Sequence, residues 1–216
     1  GRMGGPGPRA RPGGALTGRG RGLGALIFPG LELLDLFGPL EMFGMLPDNP
    51  VLHLVAEEAG SLPSGQGPAA LADTALRDPG GFDVLLVPGG MGTRREIDHP
   101  RLIDWPGTQA EAADWVLTVC TGPALLAKTG RLDGRPATTN KRAFDWVAAR
   151  RPEVHWQRRA QWTQDGRVFA ASGVSAGMHM ILAAIARMHD GEAADRVARL
   201  CQYRWNSDAA ADPFAR

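Results

Sequence analysis

Three apolar runs of strand length constrain this chain most: Leu23–Phe28 (LGALIF), Phe82–Val87 (FDVLLV) and Trp115–Val119 (WVLTV). Each runs straight into a turn of Pro, Gly or Cys, and a stretch with helical spacing follows. Strands that are apolar throughout, rather than alternately, are buried on both faces, which is the mark of a parallel sheet covered by helices. Val51–Ala56 adds a further strand, and Ala137–Asn140, Val154–Gln157 and Ala160–Thr163 are short ones. Asp165-Gly166 signals a hairpin into Arg167–Ala171. Helices are predicted over Leu31–Leu46, broken or restarted at Gly38-Pro39, and over 94–114, with a break near Trp105-Pro106. Others are expected from Pro123 to Thr129, Arg142 to Arg150, Val174 to His189 and Glu192 to Trp205. Residues 59–81 are rich in Gly, Pro and Ala, with at most short strands around Leu71–Ala75. The alternation predicts one α/β domain, doubly wound, with a mostly parallel sheet and helices on both faces. Neither a repeat nor a second-domain boundary interrupts residues 23–216, and nothing there leaves room for an appended helix-turn-helix.

Charge sets residues 1–22 apart. They hold five arginines (Arg2, Arg9, Arg11, Arg19 and Arg21), no acid, and many Gly and Pro. Such a segment buries too little apolar surface to offset its ordering entropy, so a disordered basic tail is expected. It lacks the apolar core of a signal peptide. The remaining chain holds 19 basic and 23 acidic residues, a balance that argues against nucleic-acid binding. No run approaches the ~18 apolar residues of a membrane span. Two cysteines, Cys120 and Cys201, about 80 residues apart, do not make a disulfide framework. A soluble, reducing, cytoplasmic setting is expected.

Ligands of open α/β sheets bind at the carboxyl ends of the strands. There the first run meets Phe28-Pro29-Gly30 with Asp35 just beyond, the third strand ends in Pro88-Gly89-Gly90, and the next ends at Cys120. A residue on a sharp strand-to-helix turn is thrust out at its tip. The following helix end would favour a thiolate at Cys120. The Thr121 N–H, and the Gly90 N–H across the gap, would face a developing oxyanion. The alternative is that Cys120 is a small buried hydrophobe. Asp35 lies on an apolar helix face, either as a general acid/base beside the thiol or as a helix cap or surface acid. Glu41, six residues on, falls on another face and is expected in solvent. None of the five histidines stands at a spacing readable as a partner of Cys120, and neither HExxH nor a Cys/His cluster is present, so no metal is expected. Gly89-Gly90-Met91-Gly92 is no nucleotide motif. Trp146, Trp156 and Trp162 read as packing residues.

Leu34-Asp35-Leu36-Phe37-Gly38-Pro39, Val87-Pro88-Gly89-Gly90, Val119-Cys120-Thr121-Gly122, Ala137-Thr138-Thr139 and Ser172-Gly173-Val174-Ser175-Ala176-Gly177 resemble, in order, motifs of the ThiJ/PfpI superfamily, over residues 23 to about 205. The resemblance implies a flavodoxin-like, class I glutamine-amidotransferase-like fold and a homodimer. It is closest to isonitrile hydratases, and AraC-type regulators carry a similar domain. It implies Cys120 as nucleophile, Asp35 as acid/base, Thr121 at the border of the site, and Gly89 and Gly90 at the substrate, with no cofactor. Three positions depart from the pattern. Asn140 stands where a histidine is frequent, Met178-His179 replaces an Ile-Asp pair, and Tyr203–Phe214 is unlike the hydratases. The expected function is a cysteine-dependent lyase hydrating a small isocyanide to an N-substituted formamide. The alternatives are glyoxalase or deglycase chemistry on small dicarbonyls, and a non-enzymatic redox or ligand sensor.

Overall fold

In a computed structural model, residues 22–78, 80–210 and 212–215 are described. The basic tail expected over 1–22 therefore lies outside the described residues, Gly22 excepted. The three apolar runs form β1 (Leu23–Leu26), β6 (Val84–Val87) and β7 (Trp115–Val119), and between the first two lie β2 (Leu52–Ala56), β3 (Gly60–Pro63), β4 (Ala69–Ala72) and β5 (Thr74–Ala75). Then come β8 (Pro136–Ala137), β9 (His155–Trp156), β10 (Trp162–Asp165) and β11 (Val168–Ala171). Seven strands make one sheet in the order β10-β11-β7-β6-β1-β2-β5. All its neighbours pair in parallel except β10 with β11, which form the hairpin that Asp165-Gly166 signals. Every side chain of β1, β6, β7 and β11 is buried.

The helices are α1 (Leu33–Gly44), α2 (Thr93–Glu96), α3 (Pro100–Ala112), α4 (Gly122–Lys128), α5 (Phe144–Ala148), α6 (Ala176–Met188) and α7 (Gly191–Leu200), with a 3-10 turn at Lys141–Ala143. α1, α6 and α7 pack together, and α3 and α4 pack on each other and on β6 and β7. The expected mostly parallel α/β sheet with helices is what the structure shows. Consecutive strands leave β1 in opposite directions, β2 to one side and β6 to the other, so the switch point falls between β1 and β6. That gap is where the Pro-Gly turns and Cys120 converge.

Four local expectations are corrected. α1 runs unbroken through Pro39, because the burial of Leu36, Leu40, Met42 and Phe43 outweighs one lost backbone hydrogen bond. Likewise α3 runs through Pro106, and the break comes earlier, before Pro100 at its first turn. Residues 59–81 carry more order than expected, with β3 and β4 paired antiparallel. The last helix stops at Leu200 rather than Trp205, as Gln202 takes a left-handed φ of 49°. Among the described residues no helix is long and apolar enough to cross a membrane.

Candidate active site

Cys120 follows β7 directly, and its backbone turns into the left-handed region with φ 60°. For a non-glycine residue this costs on the order of 1 kcal/mol and needs support from its surroundings. Its N–H donates to Ala171 O (3.0 Å), extending the β7–β11 ladder by one step. Its carbonyl accepts two hydrogen bonds, from the Thr139 hydroxyl at 2.6 Å and the Asn140 N–H at 3.0 Å. Two glycines let neighbouring backbone close on the elbow. A Cβ on Gly173 would lie 2.5 Å from Cys120 Cβ, and one on Gly89 would lie 2.4 Å from Thr121 N. The strained turn read from the sequence is thus present, and Thr139, Asn140, Gly173 and Gly89 hold it.

Asp35 sits in the first turn of α1 and is fully buried. Its Oδ2 accepts from the Gly89 N–H at 3.0 Å, while Oδ1 is buried with no hydrogen-bond partner. The carboxyl faces the Cys120 thiol. Burial pushes Asp35 up to about 8, and the Glu32 charge adds to this; the Gly89 N–H and the Cys120 thiol favour its ionised form without overcoming burial. Burial also pushes the Cys120 thiol well above its ordinary 9.0, and the Asp35 charge and hydrogen bond push it further. The Thr121 N–H and the Asn140 side chain oppose that rise without reversing it. The expectation of a resting thiolate is therefore corrected. Desolvation of a 5% exposed thiol beside a carboxyl outweighs the end of α4, a helix of only seven residues. At neutral pH the pair holds both protons.

Thr121 is 3% exposed and belongs to a buried hydroxyl cluster. Its Oγ1 accepts from the Gly90 N–H at 3.0 Å and lies 3.0 Å from Thr93 Oγ1, and Gly90 O is within reach of both hydroxyls. Gly89 and Gly90 lie beside this group, and their amides hold Asp35 and Thr121. The Gly90 N–H is engaged by the Thr121 hydroxyl rather than free for an oxyanion. Glu41 is exposed, as read from its helical face. Trp162 is buried against the sheet and Trp156 packs on Phe144. The Arg94 and Arg150 guanidinium groups both lie over the Trp146 ring, at 4.7 and 5.1 Å from its centroid.

Asn140 is the residue whose role was missed. Its Oδ1 caps the 3-10 turn, accepting from the Arg142 and Ala143 N–H groups at 3.0 and 3.3 Å. That leaves its amide nitrogen for the thiol. An Asn just before a helical segment is an N-cap signal, and it was readable in the sequence. The histidines lie elsewhere. His53 pairs with Asp73 and His99 with Glu57, and His179 is held between Tyr203 Oη and the Asn206 N–H. Among the described residues no cluster of three or more His, Cys, Asp or Glu could hold a metal ion.

A cavity of about 780 Å³ opens beside the elbow, lined by Leu34, Asn140, Gly173, Val174 and the C-terminal Phe214 among others. A buried ion pair ties its lining residue Lys141 to the C-terminal segment. Lys141 Nζ lies 3.7 Å from Asp212 Oδ2 and donates to Ala160 O and Thr138 Oγ1 at 2.6 and 2.8 Å, and the Ser172 hydroxyl donates to Asp212. The divergent C-terminal segment thus closes one side of the cavity.

A sequence model of the DJ-1/PfpI family matches residues 25–187. The chain is 32% identical over 160 residues to an isonitrile hydratase of Pseudomonas putida, covering 74% of this chain and 68% of that protein. It is 24% identical to the HTH-type transcriptional regulator GbdR of Pseudomonas aeruginosa, over 84% of this chain but only half of the regulator. Among solved structures, a ThiJ/PfpI family protein from Pseudomonas syringae superposes with a TM-score of 0.78 at 25% identity, covering 89% of this chain and 77% of that one.

Proposed function

This chain belongs to the DJ-1/PfpI family, and we propose that within it Cys120 and Asp35 hydrate a small isocyanide to an N-substituted formamide, using groups of the chain alone. The observation that carries the reading is the buried Asp35 Oδ1, a carboxyl oxygen without a partner beside a thiol. With Asp35 pushed up to about 8, the pair can exist as carboxylate and thiol or as carboxylic acid and thiolate, with one proton between them. The second form sets a nucleophile beside an acid, and addition to an isocyanide needs both.

In the first step Cys120 Sγ bonds to the terminal isocyanide carbon. Asp35 gives that carbon the proton that came from the thiol, leaving a thioimidate, S–CH=N–R. Asp35, now a carboxylate, takes a proton from water as its oxygen adds to the same carbon. The Thr121 N–H and the Asn140 amide, which face the sulfur, stabilise the thiolate from which the first step starts. Asp35 passes the proton it took from water to the nitrogen, giving S–CH(OH)–NH–R. The C–S bond then breaks as the hydroxyl proton passes to sulfur, and HC(=O)–NH–R leaves with Cys120 restored as the thiol. One isocyanide and one water are consumed, and nothing is oxidised or reduced. The small-molecule substrate enters through the cavity beside Gly173. Dicarbonyl chemistry of the glyoxalase or deglycase kind has less support, since no histidine accompanies Cys120 among its described neighbours. Purified protein given an alkyl isocyanide should release the formamide, and Cys120→Ala should abolish release. Absence of formamide, or release unaffected by Cys120→Ala, overturns the proposal.

A further inference from the structure

The cavity beside the elbow is lined by apolar groups, Leu34, Val174 and Phe214, together with three cations, Lys141, Arg142 and Arg158, and no acid among its described lining residues. The cations are not equivalent. Lys141 is 9% exposed at its side chain and committed to Asp212, Thr138 and Ala160. Arg158 is paired with Asp145 and lies over the Phe144 ring at 4.2 Å. Arg142 is exposed, and among the described residues no carboxylate pairs with it. Its backbone N–H is fixed by Asn140 Oδ1 at 3.0 Å, so the guanidinium is rooted two residues from the amide that faces the thiol. Ser175 lines the same cavity at the start of the 13-residue α6, and its side chain caps no backbone group there. The positive end of that helix and one unpaired guanidinium therefore look into a single apolar-walled space.

We propose that the substrate of Cys120 carries a carboxylate, bound by Arg142 at the mouth of this cavity, with its apolar body against Leu34, Val174 and Phe214. A guanidinium presents a planar fork that matches a carboxylate in two parallel hydrogen bonds. One unpaired cation suits a monoanion. The proposal rests on Cys120 being the reactive group, and on isocyanide hydration only for the identity of the electrophile.

Two measurements separate those dependencies. In the first, Cys120 of the full chain is alkylated with iodoacetate and with iodoacetamide, near-isosteric reagents that differ in charge. The ratio of the two rates is compared between the natural chain and Arg142→Gln. The expected result is a ratio about three- to tenfold lower in the variant, with the difference shrinking in high salt. An unchanged ratio overturns the proposal whatever the natural reaction is. In the second, isocyanoacetate is compared with its methyl ester as a substrate. The anion should show the lower KM, and Arg142→Gln should erode that preference by a similar factor. Equal KM values, or a preference that survives in the variant, overturn it. Failure of both isocyanides to react counts against hydration alone, and the alkylation ratio still decides the anion site.

Discussion

The Asp35 carboxyl and the Cys120 thiol face each other at the carboxyl edge of the sheet, and their influence is one-sided: Asp35 makes the thiol harder to ionise, whereas the thiol favours the ionised carboxyl, which burial above all holds back. Asp35 is brought there by the first turn of α1 and Cys120 by the end of β7, on either side of the switch point. Both are buried, and both keep their protons at neutral pH. The pair is best described by the number of protons it holds, and its reactive form is the one that has lost the first.

The pH dependence follows from Asp35 being pushed up to about 8. Below that value the carboxyl is neutral and cannot take the thiol proton; above it the carboxylate can. Iodoacetamide alkylation of Cys120 should be slow at pH 6 and rise with an inflection near 8. Quenched time courses with peptide mass spectrometry of Cys120 check this, and fast alkylation at pH 6 would show a resting thiolate instead.

Asp35→Asn should separate reactivity from turnover. Removing the carboxyl removes the base whose ionisation sets the inflection near 8, while burial, the largest influence raising the thiol, remains, so alkylation should persist but with its inflection moved to higher pH. Formamide release should fall by about 10²–10⁴-fold, the usual contribution of a positioned acid/base. The variant should also be more stable. An Asp whose folded-state value is about 8 against roughly 3.9 unfolded binds more protons when folded between those values, so natural-chain stability falls as pH rises through that window. The advantage of Asp35→Asn should be negligible near pH 4 and grow to several kcal/mol, at most about 5, at pH 8.5, measured by urea denaturation at both pH values.

The Lys141–Asp212 pair should be costly to break from one side. Both side chains are nearly inaccessible, at 9% and 3%, and Asp212→Ala strands a buried ammonium, which costs about 3–5 kcal/mol. Replacing both, as in Lys141→Met with Asp212→Leu, should cost less than Asp212→Ala alone. Thermal denaturation checks the order, and limited proteolysis should cut the C-terminal segment of Asp212→Ala before the rest of the chain.

Gly173→Ala probes the support of the elbow. Gly173 has φ 66°, and an added Cβ would lie 2.5 Å from Cys120 Cβ and 2.7 Å from Cys120 Cα. A loss of about 2–4 kcal/mol is expected from the strain and the overlap together. Alkylation of Cys120 should change as well, whereas a comparable loss of stability from a distant core substitution should leave the inflection near pH 8 in place.

Much of this was legible in the sequence, for identifiable reasons. The runs ending at Phe28, Val87 and Val119 are apolar throughout because both faces of those strands are covered, and their Pro, Gly and Cys endings mark the edge where ligands bind. Asp35, Cys120 and Thr121 were found because each breaks an apolar or glycine-rich pattern at that edge. The acid strength of the thiol was not legible: it depends on how deeply Cys120 is buried and on Asp35 facing it, and both arise only when α1 and β7 meet. Asn140 was read as a missing histidine, although its side chain does local work as a cap and faces the sulfur. The Lys141–Asp212–Ser172 contact joins residues up to 71 positions apart by individual side chains, and no periodicity announces it. Continuation of α1 through Pro39 was likewise decided by packing rather than by local preference.

The most direct test is rapid-quench mass spectrometry of Cys120 during a single turnover of an alkyl isocyanide at pH 8. A Cys120 peptide heavier by the whole mass of the isocyanide should appear and then decay as the formamide accumulates, with neither species formed by Cys120→Ala. Formamide released with no adduct on Cys120, or no formamide at all, would contradict the account.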